Sequence, residues 1–172
     1  MTRLSHLGVA VATLALIGSS SPQPALAISN VFSAHLTGND VVPATQSHAT
    51  GAAKFTLSAD GTTLEYRINV GNIENVVSAN LRLGAPGQNG EAVAVLYGPM
   101  PSGGGKKTGT LTAGTVTQAT LVGSLSGRPL SDLIDAMKAG NVYIDIATDS
   151  GAGSTERQPG NYPDGEIRGQ VR

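Results

Sequence analysis

The sequence predicts an all-β domain, an antiparallel β-sandwich or closed barrel of about eight strands with one short helix. Three observations carry this. Apolar and polar residues alternate with period two along most of the chain, the spacing of half-buried strands. The runs are short and are separated by turn residues, drawn from 23 glycines and 9 prolines. A single segment, residues 131–140, has helical spacing instead.

The elements follow in order. Residues 31–37 place Phe32, Ala34 and Leu36 on one face. Residues 53–58 follow, and Asp60-Gly61 is a hairpin turn because both residues tolerate positive φ. Residues 63–70 then put Leu64, Tyr66, Ile68 and Val70 together, with Glu65, Arg67 and Asn69 opposite. Residues 77–83 turn Ala79, Leu81 and Leu83 inward. The stretch Ala85-Pro86-Gly87-Gln88-Asn89-Gly90 has turn chemistry and leads to an apolar run over 92–97. Residues 99–105 form a loop, and two threonine-rich strands are expected over 108–112 and 115–125. The helix has Asp132 and Asp135 early, Lys138 late and Gly140 at its exit, with Leu130, Leu133, Ile134 and Met137 as its apolar stripe. A strand with Val142, Ile144 and Ile146 inward, a polar loop over 149–164 and a last strand over 166–172 complete the chain.

Residues 1–27 read as an export signal. Arg3 is followed by an apolar stretch from Leu7 to Ile17, then by Ser19, Ser20, Ser21 and Pro22, and Ala25-Leu26-Ala27 offers the small residues a signal peptidase inspects. The apolar stretch is short of the roughly 20 residues a permanent membrane anchor needs. Without a twin arginine, the general secretory route is expected, leaving residues 28–172 as one domain outside the cytoplasm, periplasmic or extracellular.

Composition excludes several chemistries. With no cysteine there is no disulfide scaffold, thiolate metal site or cysteine nucleophile. A formal net charge of -1 gives no electrostatic footprint for nucleic acid. No serine sits in a nucleophile elbow, and Gly103-Gly104-Gly105-Lys106-Lys107-Thr108 lacks the spacing of a phosphate loop. The expectation is a protein that is not an enzyme and has no cofactor.

Three ordered stretches carry a family resemblance. They are Phe32-Ser33-Ala34-His35-Leu36-Thr37-Gly38, Gly84-Ala85-Pro86-Gly87-Gln88-Asn89-Gly90 and Gly165-Glu166-Ile167-Arg168-Gly169-Gln170, with Leu133–Gly140 and Tyr143 between the last two. In that order and spacing the chain resembles the CHRD domain, the module named after chordin and also found singly in secreted bacterial proteins. The resemblance implies an extracellular, immunoglobulin-like β-sandwich or barrel; with the export signal and the absence of a catalytic constellation, the expectation is a binding module. It also marks a departure. The family usually carries a histidine-x-histidine pair just before the glycine- and proline-containing turn, and a third histidine before a threonine. Here those positions hold Asn80, Arg82 and Ala147. Three imidazoles on adjacent strands are how a sheet can hold a metal, so a metal or redox role is not carried over.

What remains is a polar cluster. Alternation puts Asn80 and Arg82 on one face of their strand, Tyr143 and Asp145 on the non-core face of another, and Glu166 and Arg168 on that of the last. If these strands are neighbours, the six residues form a face for a small ligand or a partner such as a cell-surface protein or polysaccharide. The simpler alternative is structural: Arg82 and Arg168 pairing with Asp145 and Glu166 across strands, each pair worth roughly 0.2–1 kcal/mol. His35 and His48 are expected at the surface, too isolated to bind a metal.

Overall fold

The computed structural model describes residues 30–153 and 156–172; the proposed export signal lies outside the described residues. In chain order the elements are β1 (Val31–Thr37), β2 (Thr50–Leu57), β3 (Thr63–Glu74), β4 (Val76–Leu83), β5 (Ala92–Tyr97), β6 (Lys106–Thr117), α1 (Leu130–Lys138), β7 (Val142–Thr148) and β8 (Ile167–Gln170). All eight strands belong to one sheet, in the order β5-β4-β7-β8-β1-β2-β3-β6, and every neighbouring pair is antiparallel. The fold class is the expected one, all-β with one helix.

The sheet curls until its two edge strands nearly meet. The Tyr66 hydroxyl on β3 donates to the Leu96 carbonyl on β5 at 2.7 Å. Beyond β6 the chain crosses to β5, where the Val122 amide donates to Val93 O at 2.9 Å beside an Ala94–Leu121 bridge. These bonds close a barrel whose interior is one apolar cluster. Leu36, Phe55, Leu64, Ile68, Leu81, Ile144, Ile146 and Ile167 are fully buried in it. The α1 stripe of Leu130, Leu133, Ile134 and Met137 packs into the same cluster. At roughly 1.5–3 kcal/mol per large buried side chain, this packing outweighs any single cross-strand pair.

The threonine-rich region differs most from expectation, for two visible reasons. The threonine-rich region holds one strand rather than two. Gly114 does not interrupt β6, because its Cα lies opposite Tyr66, and a Cβ there would sit 2.7 Å from the Tyr66 hydroxyl. The glycine makes room for the ring that closes the barrel. β6 then stops at Thr117 instead of running to 125. The Thr120 hydroxyl folds back to accept from the Thr117 amide and donate to its carbonyl, taking both groups out of the ladder. Short 3-10 turns over 118–120 and 123–125 follow.

The sheet's outer face is not uniformly exposed. Residues 38–49, 84–91 and 156–165 fold across β4, β7 and β8, and all seven residues of β7 are buried. That roof decides where the polar cluster ends up.

The closure makes a prediction. Gly114→Ala displaces the Tyr66 hydroxyl from Leu96 O and costs roughly 1–3 kcal/mol in urea unfolding. Gly104→Ala, where an added methyl meets nothing within 4 Å, leaves stability within about 0.5 kcal/mol.

Candidate functional site

Strand register aligns the charged residues under the roof. Asn80 on β4 lies opposite Asp145 on β7, Asp145 opposite Arg168 on β8, and Arg168 opposite Thr37 on β1. One step along, Arg82 faces Tyr143, which faces Gln170. Period-two alternation sends all of these side chains to the outer face, where water would ordinarily solvate them. Instead Tyr143, Asp145 and Arg168 are each 5% exposed or less.

Each buried group is held by specific partners. Arg82 Nε donates to Asp145 Oδ2 at 2.9 Å, and its Nη1 donates to Gly90 O at 3.2 Å. The Arg168 guanidinium carbon lies 3.5 Å from the Tyr143 ring centroid, a stacking contact worth about 0.5–2 kcal/mol. Arg168 also donates to Asn89 Oδ1 and to the carbonyls of Ala85 and Gln88, so it pins the 84–90 turn to the sheet. Asn89 in turn donates from Nδ2 to Val42 O at 2.7 Å, joining that turn to the 38–49 segment. Gly90 closes the arrangement. Its amide donates to the Tyr143 hydroxyl at 2.9 Å, and a Cβ there would lie 1.5 Å from Leu83 O, which leaves room for glycine only.

Between these segments is a pocket of about 400 Å³. Arg82, Tyr143, Asp145 and Arg168 form its polar side with Asn89, while Val41, Val42, Pro43 and Pro163 form an apolar wall. Arg157 and Asp164, paired at 3.0 Å and solvent-exposed, stand at the rim. One feature of the floor stands out: Asp145 Oδ1 is buried and has no hydrogen-bond partner. Burial pushes the Asp145 carboxyl above the usual carboxylate range, and the Arg82 guanidinium opposes that shift without cancelling it. Burial likewise lowers the Arg168 guanidinium from its very high ordinary value, against the pull of Tyr143, Asp145 and Asp40. Arginine starts so high that it stays a cation here.

Of the six residues expected to cluster, four line this pocket and two do not. Asn80 sits in the same row but bonds Ser78 Oγ at 3.4 Å, outside the pocket lining. Glu166 corrects the ion-pair expectation more sharply. It makes no salt bridge among the described residues, and instead accepts hydrogen bonds from Ser47 Oγ (2.5 Å), Thr148 Oγ1 (2.6 Å) and Gly160 N (2.9 Å). Thr45 Oγ1 donates to its backbone carbonyl at 2.8 Å. Glu166 is therefore the knot that ties the 45–49 and 156–165 segments down. Arg82–Asp145 is the ion pair that does form across strands.

Sequence reasoning missed the residues contributed by the roof, Asn89, Gly90, Ser47 and the apolar lining, and Thr148 at the end of β7. Asn89-Gly90 was visible only as turn chemistry, and nothing local says which strand a turn folds onto. His35 is exposed on β1, and His48 is exposed beside a second, smaller pocket near Glu74 and Lys106.

With the fold and pocket in place, comparison with known families is decisive for one point. The family model for the CHRD domain matches residues 32–171. The chain belongs to the CHRD domain family. No curated protein and no solved structure matches it. In this CHRD domain the positions of the expected family histidines come close together: Asn80 and Arg82 on β4, and Ala147 on β7 opposite Ser78. An amide, a permanently protonated guanidinium and a methyl group now stand there, a set that does not suit a cation. Among the described residues, no group of three His, Asp or Glu side chains is placed to hold a metal.

Two predictions follow from the geometry. A carboxyl whose folded pKa is raised binds its proton more tightly folded than unfolded, so its stability contribution is largest below about pH 4 and declines as pH rises through the folded value. The stability of the wild type relative to Asp145→Asn should therefore shrink between about pH 3 and pH 7 in denaturant titrations. An increase would mean that pairing with Arg82, not burial, governs Asp145. At the second knot, Glu166→Ala should cost roughly 3 kcal/mol and speed amide exchange at Gly160. Glu166→Gln should cost less than half as much, because the Ser47 hydroxyl can accept from the new amide.

Proposed function

We propose that this CHRD domain is a non-catalytic binding module of the cell envelope or extracellular space. In this reading the chain is exported by the general secretory route with loss of residues 1–27, and residues 28–172 engage a cell-surface protein or polysaccharide. The observation that carries the reading is the pocket at Arg82, Tyr143, Asp145 and Arg168, whose polar side chains stand on adjacent strands of the sheet. Strands hold such groups in place better than loops do, and a prepositioned site loses less entropy on binding. Its two arginines are held in fixed contacts with the 84–90 turn, and Arg82 with Asp145 as well, which favours recognition over turnover. No helix among the described residues is long and apolar enough to cross a membrane.

The experiment is fractionation of cells expressing the full chain with a C-terminal tag, followed by binding of the purified mature protein to washed envelopes. The expected result is a processed form outside the cytoplasm, and envelope retention that falls several-fold in an Arg82→Ala protein that still unfolds cooperatively well above the assay temperature. Full-length protein in the cytoplasm, or retention indifferent to Arg82, would overturn the reading.

A further inference from the structure

We propose that the pocket takes a neutral polyhydroxyl ligand, a saccharide, with one hydroxyl donating to Asp145 Oδ1 while accepting from Arg82. This rests on the reading of the pocket as a binding site and names the class of ligand. The starting point is the unpartnered oxygen. Asp145 has a side chain only 7% exposed, and its Oδ2 is taken by Arg82 while Oδ1 has nothing. A buried acceptor without a donor costs about 1–3 kcal/mol, so the site favours whatever supplies one.

Three ligand chemistries compete for it. A metal cation would meet Arg82 at 2.9 Å from the same carboxylate and Arg168 directly across the ladder, two positive charges with too few ligands to offset them. A small inorganic anion would suit the arginines, but it adds a negative charge beside Asp145. A hydroxyl group both donates and accepts, which is what an adjacent carboxylate and guanidinium require together. The second wall points the same way. Val41, Val42, Pro43 and Pro163 line the same pocket as the charged groups. A pyranose ring has the matching division, with hydroxyls around its edge and C–H groups on its faces. Asn89 fixes the spacing of the two sides, bonding Arg168 on one and the Val42 carbonyl on the other. The volume of about 400 Å³ lies at the small end of ligand pockets, enough for one or two sugar rings.

Oδ1 is closed to water in the free protein. Seating a hydroxyl on it therefore requires a local side-chain movement that uncovers this oxygen. That cost places the affinity for a single sugar in roughly the millimolar range, the weak regime that a repeating polysaccharide overcomes by presenting many units.

The test is a titration of ¹⁵N-labelled mature protein with glucose, galactose, mannose, N-acetylglucosamine and cellobiose, and separately with inorganic phosphate. At least one saccharide should cause saturable shifts at the amides of Gly90 and Gly165, weakened about tenfold or more, some 1.4 kcal/mol, in both Asp145→Asn and Arg82→Lys. Melting curves establish that the variants are folded, and Lys107→Ala, outside this pocket, should bind as the wild type does. Shifts produced by phosphate and by no saccharide would make this an anion site and overturn the proposal. Absence of any saccharide shift also overturns it. If Arg82-dependent envelope retention persists in that case, the binding reading stands and only the ligand class falls.

Discussion

Seven consecutive residues of β7 are buried, although alternation sends only every second one into the barrel. Val142, Ile144 and Ile146 join the apolar core, so their intervening neighbours must find partners on the opposite side without water. This double burial governs the outer half of the molecule. The 84–90 turn and the 38–49 and 156–165 segments cover β7 and β8, and their own backbone groups must then be satisfied by the strands beneath them. Arg168 serves the turn by donating to two of its carbonyls, and Glu166 serves the other two segments by accepting from Ser47, Thr148 and Gly160.

Those two charged residues sit two positions apart, Glu166 just before β8 and Arg168 within it, and divide the work by sign. A guanidinium offers donors, so it gathers carbonyls; a carboxylate offers acceptors, so it gathers amides and hydroxyls. Neither needs the other as a counter-ion, and the cross-strand Glu–Arg pairing suggested by their opposite charges does not occur. Asp145 is the exception to this complete satisfaction. It is buried beside two arginines yet keeps one oxygen without a donor, the one buried side-chain nitrogen or oxygen so placed among the described residues, and Asp145 lines the pocket. The same covering that makes the polar row expensive to bury also makes it a site.

How much was legible in the sequence depends on the range of the interaction. Alternation identified the core faces of β1, β3, β4 and β7, because a two-residue period is a local property, and the 131–140 helix was legible from its stripe and acid-to-base order for the same reason. The strand expected over 115–125 failed where a local hydroxyl, that of Thr120, competed for the backbone of Thr117. The expected break in the threonine-rich region failed because Gly114 answers to Tyr66 on a different strand. In the site, alternation put Arg82, Tyr143, Asp145 and Arg168 on the outer faces of their strands. It did not reach Asn89, Gly90 or the apolar wall, whose positions depend on where the roof segments land.

The sequence by itself determined the fold class, the alternating core and the family, because period, turn chemistry and motif order are carried by neighbouring residues. It also showed that Asn80, Arg82 and Ala147 occupy the places of the expected family histidines. Only the tertiary structure decided that β4, β7 and β8 stand side by side, that Glu166 ties loops rather than an arginine, and that a pocket forms beside Asp145, one of whose oxygens is buried without a partner. Each of these joins residues tens of positions apart. Their proximity is set by the closing of the barrel, in which apolar burial outweighs the small energies of individual polar pairs.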